Sequence, residues 1–183
     1  MIDFIIKGSE HVMNKISKDI LIKKLSEKID LDLIRFMVNN QDELEVTYDK
    51  NNNSYRFDFV NIKDLVLKYV ESENLKSLII NYGFMSNIDF NLSENKLVYH
   101  HAVDGIGKIV NSGLDESKKL ELIKEFKEFQ KELKSLGFIL EPTENLDSMF
   151  LVHKNLSDLT LDNFSRALSK VETYTFDSET LFL

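Results

Sequence analysis

Apolar residues recur at Ile16, Ile20, Leu21, Leu25 and Ile29, with Lys and Glu between them. That three-and-four spacing predicts a helix from Ile16 to Ile29. Leu31 to Val38 is mixed and reads as either strand or helix. Strict alternation follows in Leu44-Glu45-Val46-Thr47-Tyr48 and again in Tyr55-Arg56-Phe57-Asp58-Phe59. Between them Asp49 to Ser54 is polar and holds three consecutive Asn, residues that tolerate left-handed backbone, so the two runs predict a hairpin. Asn61 is placed to cap a helix through Leu65, Leu67, Tyr69 and Val70 to about Glu73. Leu78 to Phe84 fits a buried strand or a short helix. Ile88 to Leu92 and Lys96 to His100 alternate and predict a second hairpin or a strand–loop–strand.

The clearest helix is Asp115 to Leu136, where Leu122, Ile123, Phe126, Phe129, Leu133 and Leu136 form one stripe. Asp115 is its expected N-cap and Gly137 its stop. Phe138-Ile139-Leu140 and Met149 to Val152 predict two late strands. Leu159 to Val171 predicts a last helix, capped by Ser157 or Asp158. The tail from Thr175 ends in Leu181-Phe182-Leu183, which must dock or stay exposed. Short hairpins packed with about four helices define an α+β fold rather than a doubly wound parallel sheet. The length of 183 residues suits a single α+β domain over 1–183, with sub-lobes at 1–84 and 85–183.

Charge and composition narrow the function. The formal net charge is −8, and Lys pairs such as Lys23-Lys24 and Lys118-Lys119 are diluted by neighbouring acids. Counterion release from a phosphate backbone needs concentrated positive charge, so no direct nucleic-acid contact is expected. An acidic chain suits a protein partner with a basic surface. There is no Cys, which removes disulfides, thiolate metal sites and a thiol nucleophile. No apolar run reaches the ~20 residues that cross a bilayer. Met1 to Lys7 is too short for a signal segment, so a cytoplasmic protein is expected. The Lys-, Ile- and Asn-rich composition matches an AT-rich bacterial or phage genome.

Catalytic motifs are missing. Gly105-Ile106-Gly107 lacks the third Gly of a dinucleotide loop, and no phosphate-loop pattern occurs. His100 and His101 are adjacent, and neighbours on a strand face opposite sides, so the two cannot share a metal. Neither cofactor nor metal is expected, and no catalytic residue is assigned. The Phe and Leu stripe of the 115–136 helix reads as core or as the wall of a partner groove. Phe126 and Phe129, with Leu181 and Phe182 of the tail, are therefore the candidate interaction residues.

One stretch resembles a known family. Ser93-Glu94-Asn95-Lys96-Leu97-Val98-Tyr99, followed by Lys108-Ile109-Val110-Asn111-Ser112-Gly113-Leu114, is similar to the end of a protein-kinase catalytic loop and its metal-binding segment. Asn61-Ile62-Lys63 and the Phe90 to Tyr99 pattern extend the similarity. Over about residues 31–136 the chain resembles the degenerate, kinase-like domain of the EssB/YukC family of type VII secretion. In that comparison Asn111 stands where the metal-binding Asp would be, and a neutral amide cannot neutralise Mg²⁺ as a carboxylate does. The chain also departs from the family in lacking its transmembrane helix. The resemblance implies a reduced, pseudokinase-like scaffold without catalysis.

The leading expectation is thus a non-enzymatic protein–protein interaction module that is pseudokinase-like, with a homodimer as a further contact. A small acidic inhibitor is the alternative, either a toxin immunity protein or a phage anti-defence protein bound to a basic nuclease or effector face. The other alternative is an enzyme whose site is built from Asp or Glu with His100 or His101 and Tyr99.

Overall fold

The Asn-rich turn joins two alternating stretches into a hairpin, and a sheet extends to both sides of it. In the computed structural model, which describes residues 4–8, 13–16, 18–41, 44–144 and 148–181, these stretches are β3 (Leu44–Asp49) and β4 (Ser54–Asn61). Asn53 takes φ 49°, and Asp49 Oδ1 accepts from the Asn51 backbone N–H at 2.9 Å. The second hairpin is β5 (Met85–Asn91) with β6 (Lys96–Asp104), and the third is β7 (Phe138–Pro142) with β8 (Ser148–His153). Two further strands, β1 (Phe4–Gly8) and β2 (Met13–Ile16), precede them.

Together they form an eight-stranded sheet in the order β2-β1-β3-β4-β5-β6-β8-β7. Neighbours are antiparallel except β1 and β3, which run parallel, Phe4 against Leu44 to Gly8 against Tyr48. A parallel neighbour needs a crossover. It is supplied by α1 (Lys18–Leu25) and α2 (Leu31–Asn39). Between β4 and β5 lie α3 (Lys63–Leu67) and α4 (Glu73–Tyr82). Between β6 and β7 lie α5 (Ile106–Val110) and α6 (Glu116–Ser135), and α7 (Leu161–Leu181) closes the described chain.

This is an α+β fold with seven helices among the described residues, against the four expected. The difference has local causes. Leu31–Val38 is helical, and Leu78–Phe84 falls largely within α4, which Ser72 caps by accepting from the Leu75 N–H. Ile16 belongs to β2, so the first helix is shorter than its apolar spacing indicated. Asn61 is not the N-cap of α3; that position is Ile62, although Asn61 Oδ1 still accepts from the Lys63 N–H at 3.1 Å. At α6 the reading holds: Asp115 Oδ1 accepts from the Lys118 N–H at 2.7 Å, and Gly137 leaves the helix at φ 91°.

Alternation gives the sheet two unlike faces. Leu44, Val46, Tyr55, Phe57, Ile88, Phe90, Leu97, Tyr99 and Leu151 point inward and share one core with the buried faces of the helices. Burying one such side chain contributes roughly 1.5–3 kcal/mol. α7 spans this core through Phe164, Ala167, Leu168 and Val171, all fully buried. Its first turn is tied across the fold, since Asp30 Oδ2 accepts from the Leu161 N–H at 3.0 Å. Thr160 Oγ1 accepts from the Asn163 N–H, so the cap is Thr160 rather than Ser157 or Asp158. The tail expected to leave the helix after Val171 continues as helix to Leu181. No described helix is long and apolar enough to cross a membrane.

Candidate functional site

The sheet face away from the helices has an irregularity at its centre. Phe57 pairs with Ile88 and Val60 with Ser86, so Asp58 and Phe59 stand opposite Asn87 alone. This is a β-bulge. The extra residue lets Phe57 and Val60, three apart, both enter the core, where each is fully buried. The bulge turns Phe59 outward at φ 54°, and its backbone N–H donates to Asn87 Oδ1 at 3.0 Å. A left-handed backbone is an outlier for a bulky side chain and costs roughly 1–2 kcal/mol. The ring nonetheless stays 64% exposed, and Met85 on the adjoining strand is 59% exposed.

Carboxylates stand beside this pair. Glu45 lies directly opposite Asp58 across β3 and β4. Like charges in that position repel. Arg56 Nε donates to Asp58 Oδ1 at 2.9 Å and is itself paired in register with Asp89. Asp89 Oδ2 lies 2.8 Å from His100 Nε2, and the His100 ring meets Phe150 edge-on at 5.1 Å. On this face Asp58 therefore pairs with Arg56 and Asp89 with His100, while Glu45 stands across from Asp58.

His101 points the other way, as strand alternation requires. Its Nε2 lies 3.6 Å from Glu172 Oε1 of α7. Burial, reinforced by Glu179, pushes the Glu172 carboxyl up to about 7, and burial pulls His101 down. Neither Glu172 Oε1 nor the fully buried Tyr99 hydroxyl has a hydrogen-bond partner among the described residues. Burial raises the Tyr99 pKa strongly, so the phenol stays neutral. Tyr99, His101 and Glu172 thus lie together on the core side of β6.

A groove of about 440 Å³ opens between the α3–α4 connection, α6 and the opposite side of α7. Arg166 lies 4.3 Å over the Tyr69 ring and donates to Asp162 at 2.8 Å. Hydrogen bonds from Tyr69 and then Arg166 hold Asp162 down to about 2. Lys170 pairs with Glu132 at 3.1 Å.

The residues singled out from sequence are placed as follows. Phe126 and Phe129 are 1% and 6% exposed, and they pack on Tyr174, with Phe129 stacked on its ring at 4.3 Å. Their apolar stripe is spent inside the molecule, with Phe129 forming part of the groove wall. Leu181 is the last residue of α7, and Phe182 lies outside the described residues. Ser93, Glu94 and Asn95 form the β5–β6 turn, with Asn95 at φ 59°. Asn111 caps the C-terminus of α5, and Ser112 and Gly113 follow in the connection to α6. Among the described residues no group of three His, Asp or Glu could hold a metal.

Two signals were readable and missed. Phe59-Val60 is an apolar doublet ending an alternating run, the mark of an extra residue. Glu172 follows Val171 at a position four residues after Leu168, on the apolar side of its helix. Compared with protein families, curated proteins and solved structures, the chain matches none.

Proposed function

We propose that this is a non-enzymatic protein–protein interaction module whose sheet face opposite the described helices docks a partner with a basic surface. The observation carrying the reading is Phe59: a bulge holds an aromatic ring in solvent at the cost of left-handed backbone. Strain of this kind persists where the surrounding structure enforces it, and it clusters at ligand clamps. An exposed aromatic with Met85 beside it supplies the apolar centre of a contact. Asp58 and Asp89, on adjoining strands, supply the charge, and they match Lys or Arg on the partner. The inhibitor role fits the same face. A nuclease or effector docked there would have its phosphate-binding surface occupied by carboxylates.

The test is capture from host lysate with wild-type and F59D baits, followed by hydrogen-exchange footprinting of the purified pair. A stoichiometric basic protein retained by wild type and lost by F59D, with protection over β4 and β5, is expected. Equal retention by F59D, or a footprint confined to the helices, rules the reading out.

A further inference from the structure

We propose that Glu172, seated between α7 and β6 beside His101, is a proton-operated latch that sets how firmly the C-terminal half of α7 docks on the sheet. The latch lies behind the sheet face assigned to the partner and stands independently of that assignment.

Its geometry is unusual for a core position. Glu172 is 7% exposed, yet Oε1 accepts no hydrogen bond. Among the described residues the basic group at Glu172 is His101, at 3.6 Å and with its own side chain 40% exposed. The groups facing Glu172 from β6 are Tyr99, held neutral, and His101. Ser86, which contributes no charge, acts on Tyr99 from β5. From α7 itself comes Glu179, which raises Glu172 and lies seven residues on. That spacing is two helical turns, roughly 10 Å, on the same side of the helix. On the other sides of α7, Ser169 donates to the Val66 carbonyl of α3, Arg166 pairs with Asp162 and Lys170 with Glu132 of α6, and Tyr174 stacks on Phe129 of α6 with Glu125 and Asp104 acting on its hydroxyl.

With one proton shared between Glu172 and His101 the buried pair is neutral, and the proton belongs to the pair rather than to either group. Removing it leaves a carboxylate in the core with a neutral imidazole on one side and Glu179 on the other. Such a charge is relieved by hydration, and hydration requires the helix to lift from β6. The N-terminal half of α7 is held separately by Asp30, Thr160 and the Phe164 packing, so the opening is confined to residues beyond Glu172.

Amide hydrogen exchange of residues 172–181, corrected for the intrinsic pH dependence, tests the latch at pH 6 and pH 8.5. Wild type is expected to lose on the order of tenfold protection at the higher pH, because a carboxyl titrating at about 7 when docked gives up its proton within that window. E172Q should show the same protection at both values. E179Q, at an exposed position, should move the wild-type transition to lower pH by removing the repulsion. Equal protection of wild type at both values overturns the proposal, as does a pH-dependent loss that persists in E172Q.

Discussion

Phe59 and Glu172 are the two side chains that this fold holds against their own preferences, and each makes a measurable statement. Asn tolerates the left-handed region where Phe does not. F59N is therefore expected to raise stability by roughly 0.5–1 kcal/mol in urea unfolding, because the exposed ring gives up little burial. A loss of stability would show that the ring packs. The same substitution should abolish partner binding, which separates the two effects. Glu172 gives a pH signature with a defined sign. Its folded pKa of about 7 lies above its ordinary 4.5, so the folded state holds the proton more tightly than the unfolded chain. The associated stability is fully present below about pH 4.5 and is lost as pH rises through 7, on the order of 3 kcal/mol in all. His101, lowered by burial, acts oppositely and weakens the fold as pH falls below its ordinary range. Denaturant titrations at pH 5 and pH 8 should show E172Q more stable than wild type only at pH 8.

Elements show where sequence was readable. Helix α6 was legible from cap to stop because its signals are local: Asp115 caps, a six-residue stripe recurs, and Gly137 ends it. A Cβ at Gly137 would lie 2.5 Å from His153 Nε2, and the position needs φ 91°. G137A should accordingly cost at least roughly 2 kcal/mol, read as a lowered thermal midpoint. In the same core Phe164 lies edge-on to Tyr99 and stacks on Phe138, so F164A should cost about 3–5 kcal/mol. The first two hairpins were legible because alternation and turn residues are also local, and β7 and β8 were legible as two late strands. β1 and β2 were not, since neither Phe4 to Gly8 nor Met13 to Ile16 alternates cleanly; they pair with each other, and β1 also with β3, some forty residues away. The last turns of α7 were missed because Glu172, Thr173, Thr175 and Asp177 interrupt the apolar stripe; Tyr174 and Phe176 still pack on the core. Of the candidate site, the inward and outward split of His100 and His101 followed from strand geometry. Phe126 and Phe129 were correctly seen as a stripe, but a stripe does not reveal which element covers it. That cover is Tyr174 of α7, a tertiary fact.

At the scale of the molecule, a net charge of −8 acts at long range. Association with a basic partner should slow by on the order of tenfold or more between low and high salt, since screening removes electrostatic steering. Stopped-flow mixing across that range would show it, and a salt-independent rate would leave the apolar contact alone to explain binding. The sheet's one parallel contact governs the order of assembly. Hairpins β3–β4, β5–β6 and β7–β8 can each zip from a short turn. β1 cannot reach β3 until residues 18–41 have folded across, and closing such a loop is the slower event. During that interval β3 is an unpaired edge, open to a second copy of the same strand. A newly made chain is thus most prone to mispairing before β1 has found its seat, and slow expression at low temperature should favour soluble protein over aggregate.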